Sequence, residues 1–280
     1  MSIKIVTDSN CDLPQAMIDQ YGITVVPMYI NIGTESYLDG VTMSRQEFYE
    51  GLPHFASHPM TSAPGPGTFV ETFERLAAEG ATEILTIQMA GSLSAMVNSA
   101  RLAAEEWHRL PVTVFDSGNL TLGTGLLVMA AARAAAKGRS MDEIVALLED
   151  QAARTYCFAA LDTVKYLRRS GRLTRFQSSL AAVLQIKPLL KMNSGEFDME
   201  RVRTRKAALA RVIELVGGLG PLEELALVHT HALEEAEALG AKVRHLVGQS
   251  APSLTAEVTP VIGTHIGPGA VGFVAIQARA

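Results

Sequence analysis

The 280-residue sequence has few aromatic or charged residues and only two cysteines. Aromatic side chains make up 6% and charged side chains 19%, below the share of about 25% charged residues in average globular proteins. Hydrophobic residues account for 48%, so we expect a largely aliphatic core, in which any cavity is lined by alkyl groups. Cys11 and Cys157 lack the spacing of metal ligands and are expected to be free thiols in a reducing cytoplasm.

The signals of several common function classes are also missing. The net charge is −5 and no block of Lys and Arg stands out, so a nucleic-acid partner is not expected. There is no Walker-type phosphate loop, and Val128 stands where a dinucleotide fingerprint starting at Gly123 needs glycine. We therefore predict no cofactor. The most apolar stretch, 120–136, contains Arg133 and is shorter than the roughly 20 residues of a membrane span, so it predicts a buried helix.

The order of predicted elements indicates an α/β fold. Strands around 3–7, 23–30, 83–89 and 112–115 alternate with helices, which predicts a three-layer α/β/α unit with a mostly parallel sheet. The helix starts are predicted from N-cap patterns, namely Asp12 before Pro14, Ser44 with Glu47, Thr68 with Glu71, and Ser140 with Glu143.

The pattern changes near Arg154. A hairpin over 186–202 with its turn at 193–195, a basic helix from Arg205, and further strands near 225, 254 and 271 predict a mixed sheet. We therefore predict two domains, an N-terminal α/β domain at 1–154 and a C-terminal mixed α/β domain at 155–280.

Three segments of small hydroxyl and glycine residues, 61–67, 92–94 and 263–269, are candidates for a ligand site. Brought together, their hydroxyls, the imidazole of His265 and free backbone N–H groups would suit a small anion such as a carboxylate. Each also has a purely structural interpretation. Thr61 and Ser62 fit an ordinary turn, Ser94 fits a helix N-cap, and His265 fits a structural histidine.

Two further groups of residues, a histidine pair and an arginine cluster, are candidates for binding roles. His229 and His231 have the spacing of a metal pair, but no third ligand is apparent and no metal site is expected. An arginine cluster opens the second half and is interpreted as solvated surface, as a docking patch for an acidic partner, or as the source of one arginine for an anion site. Its members are Arg168, Arg169, Arg172, Arg175, Arg201, Arg203 and Arg205.

Eight short stretches, each weak alone, together resemble the DegV family of bacterial fatty acid-binding proteins over essentially the full length. They are Val6-Thr7-Asp8-Ser9, Thr61-Ser62-Ala63-Pro64, Leu93-Ser94 with Ser99-Ala100, Asp116-Ser117, Tyr166-Leu167 leading to Gly171-Arg172-Leu173, Ile186-Lys187-Pro188, Arg203 with Lys206-Ala207, and His265-Ile266-Gly267-Pro268-Gly269-Ala270.

The resemblance implies a two-domain protein that buries a fatty acid and does no chemistry itself. It implies a separate ATP-dependent fatty acid kinase as partner, which makes acyl phosphate for phospholipid synthesis. By motif, Thr61, Ser94 and His265 would hold the carboxylate and Arg172 would support them. Further expected site residues are Thr264, Ser62, Gly267, Gly269, Met96 and Arg203, the last belonging either to the carboxylate network or to the kinase-docking surface. A cytoplasmic monomer with at most transient membrane contact is expected.

The sequence departs from the family pattern after Ser94, where Ala95-Met96-Val97 replaces the usual Gly-Thr-Tyr. Met96 and Val97 are expected to add alkyl surface near the headgroup and so to alter the chain accepted. Two alternatives to a lipid carrier stay open. One is a serine hydrolase using Ser94, Asp116 and His265, although the G-x-S-x-G elbow is missing. The other is a kinase-like subunit acting on a small hydroxylated substrate, because the family is distantly similar to dihydroxyacetone kinase subunits.

Overall fold

The computed structural model describes residues 2–172, 186–243 and 254–279. The strands are β1 (Ile3–Asp8), β2 (Thr24–Val26), β3 (Tyr29–Ile32), β4 (Glu35–Leu38), β5 (Met60–Ser62), β6 (Glu83–Gln88), β7 (Val112–Asp116), β8 (Thr155–Ala160), β9 (Lys187–Asn193), β10 (Glu196–Val202), β11 (Leu222–His229), β12 (Leu254–Glu257) and β13 (Val271–Gln277). The α-helices are α1 (Gln15–Tyr21), α2 (Arg45–Gly51), α3 (Pro66–Ala78), α4 (Met96–Glu106), α5 (Leu122–Ala136), α6 (Met141–Ala153), α7 (Lys165–Arg169), α8 (Arg205–Gly217), α9 (Leu233–Val243) and α10 (Pro260–Ile266).

The N-terminal half is built on a parallel sheet with the strand order β2-β1-β6-β7. Successive strand residues point to opposite faces, so Ile5 joins a core cluster with α5 and α6, whereas Val6 joins a second cluster with α3 and α4. The predicted three-layer α/β/α arrangement with a parallel sheet is confirmed.

The prediction of one strand over 23–30 is wrong. Pro27 has no backbone N–H to donate to a neighbouring strand, and the chain divides there into β2 and β3. β3 then leaves the parallel sheet and forms a separate antiparallel sheet of order β4-β3-β5. This small sheet matters for the site because β5 carries Thr61.

The C-terminal half is built on a mixed sheet with the order β10-β9-β8-β13-β11-β12, as predicted. Its hairpin β9–β10 is antiparallel, and β11 and β12 pair in parallel. One face packs against α8 and α9, and the other shares a core cluster with α5. The strands of this sheet all follow residue 154 within the described residues.

The apolar stretch after Leu120 forms α5, which is buried on nearly every side. It packs on β1 and β6 of the parallel sheet and on β8 and β13 of the mixed sheet. A helix that is apolar all round has no face for water, so its position between two sheets accounts for its composition.

Two of the predicted capping boxes, Ser44–Glu47 and Ser140–Glu143, are confirmed. Two other N-cap predictions are wrong. Helix α3 begins at Pro66 after Gly65, so Thr68 lies inside the helix. Asp12 does not cap α1, since it is fully buried in the left-handed region with φ 50° and takes part in a network described below. The sequence also predicts a helix over 233–246. It is observed as α9, which is described as far as Val243, and Leu246 lies outside the described residues.

Candidate ligand-binding site

The structure brings the three candidate segments together around one cavity of about 620 Å³. Thr61, Ser94 and His265 all line it. The hydroxyl oxygen of Thr61 lies 3.0 Å from Nε2 of His265, although the two residues are more than 200 positions apart in the chain. The cavity therefore has a polar end composed of hydroxyls and an imidazole.

Thr61 is positioned by the small antiparallel sheet. Its strand β5 pairs with β3, with Ile30 opposite Thr61. The amide of Asn31 on β3 donates to the hydroxyl of Ser62 at 3.2 Å, and Ser62 also lines the cavity. The chain then turns through Pro64 and Gly65 into α3, which fixes the direction in which β5 ends.

Ser94 lies between the carboxyl end of β6 and the start of α4, where open parallel sheets commonly bind ligands. Its backbone N–H donates to the carbonyl of Ala90 at 3.2 Å. Its hydroxyl oxygen accepts a long hydrogen bond of 3.4 Å from the backbone N–H of Met96. A hydroxyl that accepts in this way can still donate its own proton, so the capping and ligand-binding interpretations of Ser94 are compatible.

His265 lies in the last turn of α10, although the glycines around it in the sequence are typical of an irregular turn. Gly267 ends the helix, with its backbone N–H donating to the carbonyl of Gly263 at 2.7 Å. The carbonyl of Gly269 accepts a hydrogen bond of 2.6 Å from the guanidinium of Arg205 in the C-terminal half. Neither glycine lines the cavity.

Arg172 lines the cavity and adds a guanidinium to its surface. Its Nη1 donates to the backbone carbonyl of Ser170 at 2.9 Å, which ties the side chain to the end of α7. The neighbouring Leu173 of the family motif lies outside the described residues.

Alkyl side chains dominate the remaining wall of the cavity. They come from both halves of the chain, namely Met28, Leu93, Leu120, Leu167, Leu190, Met192, Val228, Val258, Val261, Ile262, Ile266 and Val271, with Phe197 as an aromatic member. The expectation of an alkyl-lined cavity is therefore met. Burial raises the pKa of the lining Cys157 thiol to about 12, so this side chain is neutral and behaves as part of the apolar wall.

Five polar residues line the cavity that the sequence did not indicate as site residues, namely Asn10, Asn98, Thr121, His229 and Thr230. Asn98 is exposed and follows Ser94 by one helical turn, and that i, i+4 spacing is the signal by which it could have been found. Exposed Ser62, Ala95 and Asn98 all line the cavity, so its Ser94 side is open to solvent.

Several expected site residues do not reach the cavity. Thr264 is fully buried and donates its hydroxyl to the carbonyl of Pro260 at 2.9 Å. Met96 is fully buried in the core cluster of α3 and α4 and does not line the cavity. The expected effect of Met96 on the accepted acyl chain therefore cannot come from direct contact with the ligand. Arg203 is exposed between β10 and α8 and does not line the cavity.

The arginine cluster separates into different environments. Arg205 is structural, since it donates to the carbonyl of Ala160 at 3.0 Å and forms an ion pair with Glu235 at 2.6 Å. Arg168 and Arg169 are exposed on α7, and Arg201 is exposed on β10. Arg175 lies outside the described residues.

The geometry around Asp116 differs from that of a Ser-His-Asp triad. The Asp116 carboxylate accepts from the backbone N–H groups of Gly91 and Gly118 at 2.9–3.2 Å. Nε2 of His265, which a triad directs at the nucleophile, faces the hydroxyl of Thr61. These contacts favour a structural role for Asp116 in the two loops.

His229 and His231 each have a local partner. Nδ1 of His229 accepts from the backbone N–H of Ala232 at 3.3 Å, and Nδ1 of His231 lies 3.3 Å from Oε1 of Glu257. Burial lowers the pKa of His229, which favours its neutral form. Across the described ranges, no group of three or more His, Cys, Asp or Glu side chains is arranged to hold a metal ion.

Comparison with known proteins identifies the family. A family model described as uncharacterised protein, DegV family, matches residues 2–278. The chain belongs to the DegV family. A DegV domain-containing protein of Streptomyces coelicolor is 35% identical over 277 residues, with 97% of each chain covered, and one of Deinococcus radiodurans is 37% identical over the same length and coverage.

Solved structures of DegV proteins have the same fold. A DegV family protein from Thermus thermophilus, described by its fatty acid binding, is 30% identical with a TM-score of 0.88, covering 99% of this chain and 100% of that one. DegV from Bacillus subtilis, described as a fatty acid binding protein, is 27% identical with a TM-score of 0.89 at the same coverage. Within the described residues of the present DegV protein, none of the helices combines the length and the apolar character needed to cross a bilayer.

Proposed function

We propose that this DegV protein binds a long-chain fatty acid, with the acyl chain in the 620 Å³ cavity and the carboxylate at its polar end. The observation that carries the proposal is that Thr61 and His265, whose side chains lie 3.0 Å apart, and Ser94 all line one cavity with a mostly alkyl wall. The volume lies within the range of about 300–1,000 Å³ that small-molecule pockets commonly have. The fatty acid binding described for the Thermus thermophilus and Bacillus subtilis proteins supports the same ligand class.

The polar end suits a carboxylate because removal of that group from water is costly unless its oxygens regain hydrogen bonds. The hydroxyls of Thr61 and Ser94 and a ring nitrogen of His265 provide donors, and Arg172 provides a positive charge. Hydrogen bonds to an ionised acceptor are shorter and stronger than neutral ones, so a few such donors are sufficient to orient the headgroup.

The apolar wall supplies most of the affinity in this proposal. Burial of one methylene contributes about 0.8 kcal/mol, so a chain of about sixteen carbons offers on the order of 10 kcal/mol before ordering costs. An aliphatic wall with one aromatic ring accommodates a flexible chain without imposing the flat shape of an aromatic ligand.

We further propose that the protein performs no catalysis and presents the carboxylate to a separate ATP-dependent fatty acid kinase, which forms the acyl phosphate. Exposure of Ser62, Ala95 and Asn98 at the cavity supports this, because a second protein needs access to the headgroup. Arg203, exposed outside the cavity, is proposed to belong to the docking surface rather than to the carboxylate network. The proposal places a monomeric carrier in the cytoplasm, where ATP is available to the kinase.

Mass spectrometry of a gently extracted preparation tests the ligand class. The wild-type protein is expected to carry a fatty acid close to one per chain, and an extract of an unrelated protein from the same host serves as background. A well-folded preparation that carries no fatty acid, and that takes up none when palmitic acid is added, would contradict the proposal.

A further inference from the structure

Two buried carboxylates from the N-terminal half fix the start of α10, the helix that carries His265. The backbone N–H of Thr259 donates to Oδ1 of Asp12 at 2.9 Å, and the Thr259 hydroxyl donates to Oδ2 of Asp39. Asp12 is 2% exposed and Asp39 4% exposed, and Asp12 also accepts from the hydroxyl of Thr121 at 2.6 Å. The carboxylates and the helix start are more than 200 residues apart in the chain, so the network joins the two halves.

Side chains of helix α2 bind Glu257 and Val258, which lie shortly before the start of α10. Nη2 of Arg45 lies 3.0 Å from Oδ1 of Asp12, and Nη1 of the same guanidinium donates to the carbonyl of Glu257. The hydroxyl of Tyr49 donates to the carbonyl of Val258 at 2.8 Å. Three consecutive residues before α10 are thus bound, each through its own backbone atom, to side chains of the N-terminal half.

Helices α2 and α10 pack closely at Gly263. A Cβ added to Gly263 would lie 2.4 Å from the hydroxyl of Tyr49, so the two helices are in close contact at this point. The far end of α10 is also fixed, because the backbone N–H of Gly269 donates to the carbonyl of Thr230 at 2.7 Å. His265 lies less than two helical turns after Thr259, and a rotation at the helix start would move its ring.

We propose that Asp12, Asp39 and Arg45 are positioning residues for the headgroup site: by fixing Glu257 and Thr259 they hold α10 so that the imidazole of His265 meets the hydroxyl of Thr61. None of the three lines the acyl cavity beside Thr61 and Ser94, so they act on the ligand through other residues, chiefly those at the start of α10. The inference rests on the proposed fatty acid site. A displacement of about 1 Å in a binding group is enough to weaken its hydrogen bonds severely, which is why a rigid support matters here.

The test compares Thr259→Val with Thr259→Ser. Valine keeps the shape of threonine but loses the hydroxyl, which donates to Asp39 and accepts from the backbone N–H of Val261 at 3.2 Å, whereas serine keeps both bonds. Asp12→Asn, described below, leaves the bond to Val261 in place and so separates the network from the helix cap. Two readouts are needed, the ¹⁵N resonances of the His265 ring in ligand-free protein and the Kd for palmitic acid. We expect Thr259→Val to shift the His265 resonances and to weaken palmitic acid binding about fivefold, and Thr259→Ser to restore both.

Asp12→Asn provides a second variant, which replaces one carboxyl oxygen beside Arg45 and Thr121 by an amide NH2 group, with the same expected changes in both readouts. The control is Thr155→Val, which deletes a buried hydroxyl bonded to the carbonyl of Gln151 at 2.7 Å, outside the cavity and away from α10. It is expected to lower the melting temperature while leaving the His265 resonances and the Kd unchanged.

The proposal is overturned if Thr259→Val and Asp12→Asn lower the melting temperature but leave the His265 resonances at their wild-type positions. It is also overturned if serine fails to restore the effects of valine. If wild-type protein does not bind palmitic acid, the proposed function fails, and the His265 resonances still decide whether the network positions the ring.

Discussion

At the scale of single residues, the proposed binding of a fatty acid depends on Thr61, Ser94 and His265. Each also has an ordinary structural position. Thr61 lies in strand β5 and not in the turn that the sequence suggested, Ser94 lies at a helix start, and His265 lies at a helix end. What distinguishes them is that one cavity touches all three. Sequence analysis named them through the family resemblance, and spacing alone left each one ambiguous, because no local pattern indicates that residues 61 and 265 meet.

The headgroup residues yield the first prediction. Ser94→Ala and His265→Ala each remove one of a few hydrogen-bond partners of the carboxylate, at a cost of about 1–3 kcal/mol in binding. Palmitic acid affinity is therefore expected to fall about 5- to 150-fold, with the ligand-free melting temperature almost unchanged. Isothermal titration and thermal melting measure the two quantities.

The control for Ser94→Ala is Ser140→Ala, which removes the N-cap of α6 away from the cavity. That variant is expected to lower the melting temperature and to leave the affinity intact. Wild-type affinity in both headgroup variants would show that the carboxylate lies elsewhere.

A second prediction concerns Arg203. Because this side chain is exposed and outside the cavity, Arg203→Glu is expected to leave fatty acid loading unchanged and to slow acyl phosphate formation by an added kinase. Arg139→Glu, a charge reversal at another exposed arginine, is the matched control and is expected to affect neither. Both quantities are measured on the same sample. Reduced loading would assign Arg203 to the carboxylate network, and full loading with full turnover would move the docking surface toward Arg168 and Arg169.

At the scale of elements, the sequence predicted what local chemistry controls and missed what depends on distant contacts. The capping boxes at Ser44 and Ser140, the hairpin β9–β10 and the buried α5 all have local signals, and all are confirmed. Asp12 is predicted to be an N-cap because a carboxyl group shortly before a proline is a usual signal of a helix start. Its true partners, Thr121 and Thr259, are too distant in sequence for any local pattern to indicate.

The contact between α5 and the turn after β1 gives a third prediction. A Cβ at Gly125 would lie 2.2 Å from the backbone carbonyl oxygen of Cys11, which cannot move aside as a flexible side chain can. Gly125→Ala is therefore expected to reduce the free energy of unfolding by about 1–3 kcal/mol or more. Gly67→Ala is the matched control, because no other group lies within 4 Å of its added Cβ. Equal stability of the two variants in urea denaturation would contradict the close packing.

At the scale of the whole molecule, buried acidic groups make stability depend on pH. Burial raises the pKa of Asp8 to about 6 and that of Asp12 to about 7, although hydrogen bonds from Met89 to Asp8 and the guanidinium of Arg45 beside Asp12 act in the opposite direction. Both carboxyls therefore hold protons in the folded state at pH values where the unfolded chain has lost them. This stabilisation is fully present below about pH 4 and is lost as the pH rises to about 7.

The resulting prediction is a fall in the free energy of unfolding as the pH rises from roughly 4 to 7. The contribution of Asp8 alone is on the order of 3 kcal/mol across its whole titration. Urea denaturation at several pH values measures the slope, and Asp8→Asn is expected to flatten it. A wild-type slope that rises over this window, or one that Asp8→Asn leaves unchanged, would mean that Asp8 titrates normally.

The orientation of the bound ligand tests the central claim most directly. In a crystal structure of the protein saturated with palmitic acid, we expect a carboxylate oxygen within about 2.6–3.2 Å of the hydroxyls of Thr61 and Ser94 or of the ring of His265. The acyl chain is expected to run along the alkyl wall formed with Leu190 and Val228. A ligand with its methyl end at Thr61, Ser94 and His265, or one bound outside the cavity, would contradict the account.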